Sequence, residues 1–267
     1  NLELSNYTYM KLFAQYLSFL RGGKYDEAEA LLVVLGEIQR KYTPEGFLPS
    51  PSKVQTEIDY NRASIFKQIK IYYILIALFL LPLAIINELN LHVKNVIMKV
   101  IRWLIYLLSA ACLAVFIYHG YGLGLRWYLT DHAPWSNGYE ALIFISWTAV
   151  LAGFIFYKFS KIVLPGAALI AFFIILVAGF ETMDPQLTSL VPVLKSYWLI
   201  IHVACMTSSY GFFGLAAILG LVAILMSLFK TVSNAKRLNL SISGLTYINE
   251  MVVTVGVVLA AVGTFLG

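Results

Sequence analysis

The sequence predicts an all-α membrane protein: a polytopic helix bundle of about six transmembrane helices, preceded by an extracytoplasmic helical segment. Three observations predict it. Of the 267 residues, 60% are hydrophobic and only 12% are charged, about half the charge of a soluble domain. The mean hydropathy is +0.79. The apolar residues gather into stretches of about 20, the length that crosses the hydrocarbon core. These figures exclude an ordinary soluble protein and a disordered chain. Cys112 and Cys205 lie inside apolar runs and offer neither a disulfide framework nor a Cys-rich metal pattern.

Close to half of the charged residues fall in residues 1–68, which sets the only clear boundary, between an N-terminal segment (1–68) and a membrane domain (69–267). In the first part Met10, Phe13, Leu17 and Leu20 recur at helical spacing until Gly22-Gly23 stops the run. A second helix is expected after a cap at Asp26, with Ala28, Leu31, Leu32, Leu35 and Ile38 on one face. The three prolines of Thr43 to Ser52 read as a loop, and a third helix is expected from near Lys53. No catalytic constellation is visible here, so the segment reads as a packing or docking module.

In the second part the expected spans are 71–88, 100–121, 139–157, 162–180, 197–228 and 248–267. The fifth is too long for one upright crossing, so it tilts or reaches beyond the lipid. Basic residues in short loops orient the bundle. Lys94, Lys99, Arg102, Lys158, Lys161, Lys230, Lys236 and Arg237 fall on one side, against Arg126 and Lys195 on the other. The first side is expected to be cytoplasmic. The N-terminal segment, 122–138, 181–196 and Gly267 are then extracytoplasmic. The net charge of +5 is a topology signal, with no nucleic-acid partner implied.

Chemistry is sought among the histidines and one loop. His92 reads as a solvated loop residue. His119, at the outer end of the second span, is expected to find water or backbone partners near the interface, with a ligand role as the alternative. His119 and His132 are thirteen apart, but Gly120, Gly122, Gly124 and Pro134 argue against one helix carrying both. His202 lies inside the fifth span, in the outer leaflet, with Trp198, Cys205, Met206 and Ser209 on its face. An ionisable residue within a membrane helix is a functional candidate, and neutral imidazole ligates iron. A histidine hydrogen-bonded to a neighbouring helix fits the same position, and position alone does not choose. The loop 126–140 combines Arg126, Trp127, Tyr128, Asp131, His132, Trp135, Asn137 and Glu140, with Ser136 and Asn137 as caps for the third span. By itself it also reads as an interfacial aromatic belt. Gly256 and Gly263 in the sixth span imply close helix packing only.

The segments "HAPWSNGYEALIFISW" and "YWLIIHVACMTSSYG" resemble the CcsA (ResC-like) cytochrome c biogenesis proteins. The stretch "LPSPSKVQTEIDYNRASIFKQI" resembles what precedes the CcsA half in fused CcsBA proteins. The resemblance implies part of a system II holocytochrome c synthase, of haem lyase type, in the bacterial cytoplasmic membrane. Such a protein presents haem b at the outer face for covalent attachment to a CXXCH apocytochrome c. His202 in "IHV" matches the first of two external axial ligands to the haem iron. Arg126 is expected as a propionate partner, and Trp127, His132 and Trp135 as haem-site lining, with no ligand role carried over to His132. The family's Trp-rich WWD segment and second external histidine would follow Gly267, and a CcsB-like partner half would precede Asn1, so the chain is expected to be a piece of a longer polypeptide.

Two rivals stand beside this reading: a transporter or channel subunit without haem, and a membrane scaffold. A transporter calls for several charged residues along a path through the bundle, and the spans offer few, among them Glu140 and Glu250 near their ends and His202. The orientation is testable by itself. A membrane-impermeant thiol reagent applied from outside should label single cysteines placed in 122–138 and 181–196. Labelling within 231–240 instead would invert the bundle.

Overall fold

The computed structural model describes residues 2–44, 47–89, 95–180, 183, 185–187, 196–231 and 235–267, and of residues 2–8 the backbone only. His92, Lys94 and Lys195 lie outside the described residues. The described residues form helices and connecting turns, with no strand among them. The chain divides into two compact units, Asn1–Ile58 and Asp59–Gly267.

The first unit is a helical hairpin of α1 (Leu2–Arg21) and α2 (Tyr25–Tyr42), followed by the start of α3 (Pro51–Ala63). Gly23 takes φ +71°, a left-handed conformation open to glycine, and the Lys24 N–H returns to the Phe19 carbonyl at 2.9 Å. The expected cap at Asp26 is not used. Lys24 stands at the N-cap, and Asp26 and Glu27 occupy the first turn, where acidic groups favour the positive end of the helix dipole. Ala28 and Leu35 are buried, whereas Met10, Phe13, Leu17, Leu20 and Leu32 stay substantially exposed. Gln39 donates to the Tyr9 hydroxyl across the pair at 2.9 Å. α3 starts at Pro51 rather than near Lys53, because proline is preset for the first helical position and Ser50 Oγ accepts the Lys53 N–H.

The second unit is a bundle of six helices: α4 (Ile65–Leu89), α5 (Asn95–Thr130), α6 (Gly138–Phe156), α7 (Val163–Ala178), α8 (Tyr197–Leu228) and α9 (Ala235–Leu266). Ser64, at φ 46°, separates α3 from α4. Among the described residues, five helical segments are long and apolar enough to cross a membrane: Pro51–Leu89 (α3 continuing into α4), α5, α6, α8 and α9. α7 is apolar but has only 16 residues. All six expected spans are helical, with different ends. The second runs 95–130 rather than 100–121, straight through Gly120, Gly122 and Gly124. The sixth starts at Ala235 rather than at 248. Hydropathy marks where a helix can lie in lipid. The backbone stays helical further, wherever neighbouring helices or headgroups suit the polar turns. α8 and α9, of 32 residues each, reach about 48 Å, well beyond a hydrocarbon core of about 30 Å.

Packing depends on small residues. α7 lies against α4, α6 and α8, and Gly166, Ala167, Ala168, Ala171 and Ala178 are buried along it. Lipid tails are as apolar as leucine, so helices in a membrane gain by close approach more than by hiding apolar surface. At Gly211 a Cβ would meet the Ala149 nitrogen and the Ile145 carbonyl at 2.8 Å each, so α6 and α8 touch backbone to backbone there. Gly256 receives Phe213, and Gly263 receives Met206, the close α8–α9 packing expected of those two glycines.

The hydrogen bonds tie together like ends of the bundle. At one end Glu88 Oε1 accepts from Ser160 Oγ and from the Lys161 N–H, both at 3.1 Å. Lys161 Nζ lies 3.7 Å from the Tyr157 ring centroid. The starts of α4 and α6 and the ends of α5 and α7 meet at the other. Gly211→Val should displace backbone, lowering stability by about 3 kcal/mol or preventing assembly. Gly244→Ala, whose methyl would meet nothing within 4 Å, should be neutral. Heated samples followed by fluorescence-detected size exclusion would compare them, and equal midpoints would refute the tight crossing.

Candidate functional site

The most polar interior lies where α5 ends and α6 begins. Asp131, at φ 59°, closes α5 in a left-handed conformation, a common helix stop that Asp tolerates. The chain turns through Ala133-Pro134, with the Trp135 N–H donating to the Ala133 carbonyl at 2.8 Å and Ser136 Oγ donating to the same carbonyl at 2.9 Å. Asn137 is the N-cap of α6, its side-chain oxygen accepting the Glu140 N–H at 2.8 Å. Glu140 Oε2 reaches back to the Ser136 N–H at 3.0 Å. This reciprocal arrangement is a capping box displaced by one residue. Of the two caps expected from sequence, Asn137 caps with its side chain, and Ser136 contributes its backbone N–H.

Glu140 and Arg126 are 0% and 1% exposed. Arg126 Nε and Nη2 both donate to Glu140 Oε1, at 3.1 and 3.0 Å. The other N–H groups go to the Tyr60 hydroxyl at 3.3 Å, the Pro185 carbonyl at 3.0 Å and the Gln186 carbonyl at 3.1 Å. The Tyr139 ring lies against the guanidinium, 5.1 Å from its centroid. A guanidinium has five N–H donors, and all five are engaged within the protein. The residue expected as a propionate partner is thus committed to holding together α3, α5, α6 and the residues after α7.

The other residues expected around this loop fall on two sides of it. His132 Nδ1 lies 3.1 Å from the Ala133 carbonyl and 4.0 Å from Glu140 Oε2. A carbonyl only accepts, so Nδ1 carries a proton. Trp135 stands edge-on to Trp127, with centroids 5.6 Å apart, and packs on Phe144 at 4.6 Å. The ring series continues through Phe144–Trp147 and Trp147–Phe116, filling the space between α5 and α6. Trp135 Nε1 is buried with no hydrogen-bond partner among the described residues, and Trp127 is half exposed.

Two membrane histidines contrast sharply. His119, seven residues before Arg126 on the same face of α5, is 0% exposed. Its Nε2 lies 3.1 Å from the Ile143 carbonyl and its Nδ1 3.2 Å from the Tyr73 hydroxyl. The carbonyl requires a proton on Nε2, so Nδ1 accepts from Tyr73. Both ring nitrogens are used and none is left for a metal. His202, half-buried on α8, has Nδ1 2.7 Å from the Gly263 carbonyl on α9. Its proton therefore sits on Nδ1, and the Nε2 lone pair has no partner among the described residues. A histidine whose Nδ1–H is fixed by a backbone carbonyl is oriented as metal-ligating histidines are. Gly263 makes this possible, since a Cβ there would strike Met206. Of its expected neighbours, Ser209 is buried, Cys205 and Met206 are half-buried and Trp198 is exposed. His202 and the 126–140 loop lie toward the same end of the bundle but share no hydrogen bond or ring contact among the described residues. Among those residues no three His, Cys, Asp or Glu side chains converge on a metal site, so a metal held here would bring most of its own ligands. Tyr60, which positions Arg126, lies inside the stretch "LPSPSKVQTEIDYNRASIFKQI" that carries part of the resemblance, which implies no role for it, and Tyr73, which positions His119, lies in a plain apolar run.

Removing one partner of a buried ion pair strands the other charge at a cost of about 3–5 kcal/mol. Arg126→Met and Glu140→Met should each deplete folded protein strongly. The double variant should lose clearly less than their sum, as a double-mutant cycle on thermal midpoints would measure. Additive losses would mean that the two side chains act independently.

Residues 135–267 match the family model described as "Cytochrome C assembly protein". Protein NrfI of Wolinella succinogenes is 35% identical over 224 residues, covering 82% of this chain and 24% of that protein. The cytochrome c biogenesis protein CcsA of Mesostigma viride is 32% identical over 179 residues, covering 65% of this chain and 54% of its own length. CcsA of Fagopyrum esculentum subsp. ancestrale is 33% identical over 138 residues, covering 48% and 43%. The chain thus spans about a quarter of NrfI and about half of these CcsA proteins. The matched segment holds Trp135, Glu140 and His202 together with the helices that position them, and the chain belongs to the CcsA-like cytochrome c biogenesis proteins.

Proposed function

We propose that this chain is the part of a holocytochrome c synthase that holds haem b at the extracytoplasmic face of the bacterial cytoplasmic membrane, for attachment to a CXXCH apocytochrome c. His202 is the axial ligand. One observation carries the assignment: the Nδ1–H bond to the Gly263 carbonyl fixes the ring and turns the Nε2 lone pair away from the backbone, while His119 has spent both nitrogens. The resemblance implies a second external histidine for the other axial position and a CcsB-like partner half. The printed name of the CcsA relatives, cytochrome c biogenesis proteins, supports the maturation role.

In this reading haem is the substrate, and thioether chemistry belongs to its vinyl groups and the incoming cysteine thiols. The protein binds, orients and excludes water. Trp127 and Trp135 offer aromatic faces near the loop, and His132 lines it. Arg126 acts through position, because its donors are already filled by Glu140, Tyr60 and the backbone. The transporter reading finds no support in a path of charges: Arg126 and Glu140 neutralise each other at one end of the bundle.

His202→Ala in the full-length membrane protein should abolish the Soret band and cytochrome c maturation. Loss of the ring leaves a space of imidazole's own size beside the Gly263 carbonyl, so imidazole in the medium should restore part of both, and more in His202→Gly. His119→Leu removes two buried hydrogen bonds, so it should lower protein yield and leave haem per molecule unchanged. A normal Soret band in His202→Ala would refute the ligand assignment and move it to His132.

A further inference from the structure

The loop bias leaves one end of the bundle poor in basic residues, yet the first turns of α4 at that end carry Lys67 and Lys70. They stand three apart, so they share a side of the helix. Lys67 is exposed and Lys70 half-buried. Among the described residues neither ammonium has an ion-pair or hydrogen-bond partner. Two lysines on one side of a helix, beside apolar side chains, offer a paired positive charge to an anionic group.

Both lysines line a recess of about 340 Å³ between the start of α4 and the end of α7, walled by Phe66, Ile175, Ala178 and Phe180. A second lobe of about 230 Å³ shares Phe66, Lys67, Tyr139 and Pro185 with it. The main lobe is at the small end of the range for ligand pockets. It suits a compact anionic head and the first part of a chain, and is too small to enclose a porphyrin. It lies where α4 passes from polar α3 into the apolar run, the place along a membrane helix that suits a headgroup.

We propose that this recess binds an anionic phospholipid, its phosphate between Lys67 and Lys70 and the upper part of an acyl chain on Phe66, Ile175 and Ala178. The lipid phosphate matches the charge of the two lysines, offers the half-buried ammonium hydrogen-bond acceptors, and the chain covers the apolar wall between α4 and α7. The site is separate from the haem reading and does not depend on it.

The test uses the full-length protein, extracted and delipidated in mild detergent, then offered phosphatidylglycerol or phosphatidylcholine and examined by native mass spectrometry. The wild type should retain one phosphatidylglycerol in clear preference to phosphatidylcholine. Retention should fall roughly fivefold for each lysine replaced by glutamine, the scale of one basic side chain against an anionic membrane surface. The Lys67→Arg/Lys70→Arg variant should keep the preference. Equal retention of the two lipids by the wild type overturns the proposal without need of a variant. Displacement of the lipid by inorganic phosphate overturns it too, leaving a simple anion site. A Lys67→Gln/Lys70→Gln protein that keeps its lipid but loses haem would assign the lysines to propionates and overturn it as well.

Discussion

The extracytoplasmic end proposed for this bundle depends on one buried ion pair. Burying a guanidinium or a carboxylate alone costs several kcal/mol, and attraction between them repays this only when the remaining donors and acceptors are also satisfied. Arg126 and Glu140 meet that condition within the chain. Five N–H groups find five bonds, and the second carboxylate oxygen takes the Ser136 N–H. The consequence is geometric. Four segments distant in sequence, around Tyr60, Arg126, Glu140 and Pro185-Gln186, are fixed at one point, and the loop carrying His132 and Trp135 inherits its shape from that point. An arginine so committed contributes to a site through the position of its neighbours.

Away from that knot the bundle coheres by contact between small residues. α7, at 16 residues, measures about 24 Å and falls short of a full hydrocarbon core. It lies among α4, α6 and α8, and its glycine and alanines let three neighbours approach it. Where α6 meets α8, Gly211 removes the last side chain between two backbones. The aromatic series from Trp127 to Phe116 does the opposite between α5 and α6, filling with rings a gap that the backbones leave open.

Much of this was legible in the sequence, and the remainder was hidden for identifiable reasons. Apolar runs located all six helices of the bundle, and Asn137 was expected among the caps at the start of α6. The helix ends were misplaced because hydropathy reports the solvent a helix suits, whereas Asn95–Thr130 and Ala235–Leu266 remain helical beyond it. The partner of Arg126 was visible only as one more residue of a polar loop. Nothing in the sequence tied Tyr60 to Arg126, 66 positions away, or Tyr73 to His119, 46 away. Such long-range pairings depend on how α4 lies along α5, and helix periodicity does not contain that.

The two membrane histidines show what position along a helix leaves out. Both sit in apolar helices, and both qualify as candidates by the cost of placing an ionisable group there. Their chemistry diverges through hydrogen-bond partners. A carbonyl facing Nε2 and a hydroxyl facing Nδ1 close His119, turning it into a tie between α4, α5 and α6. A carbonyl facing Nδ1 orients His202, and its other nitrogen has no partner among the described residues. The carbonyl that does this belongs to Gly263, and it comes within 2.7 Å because glycine lets α9 press against Met206 of α8. A glycine that looked like a packing residue thus sets the tautomer of the histidine, and with it leaves the Nε2 lone pair without a partner among the described residues.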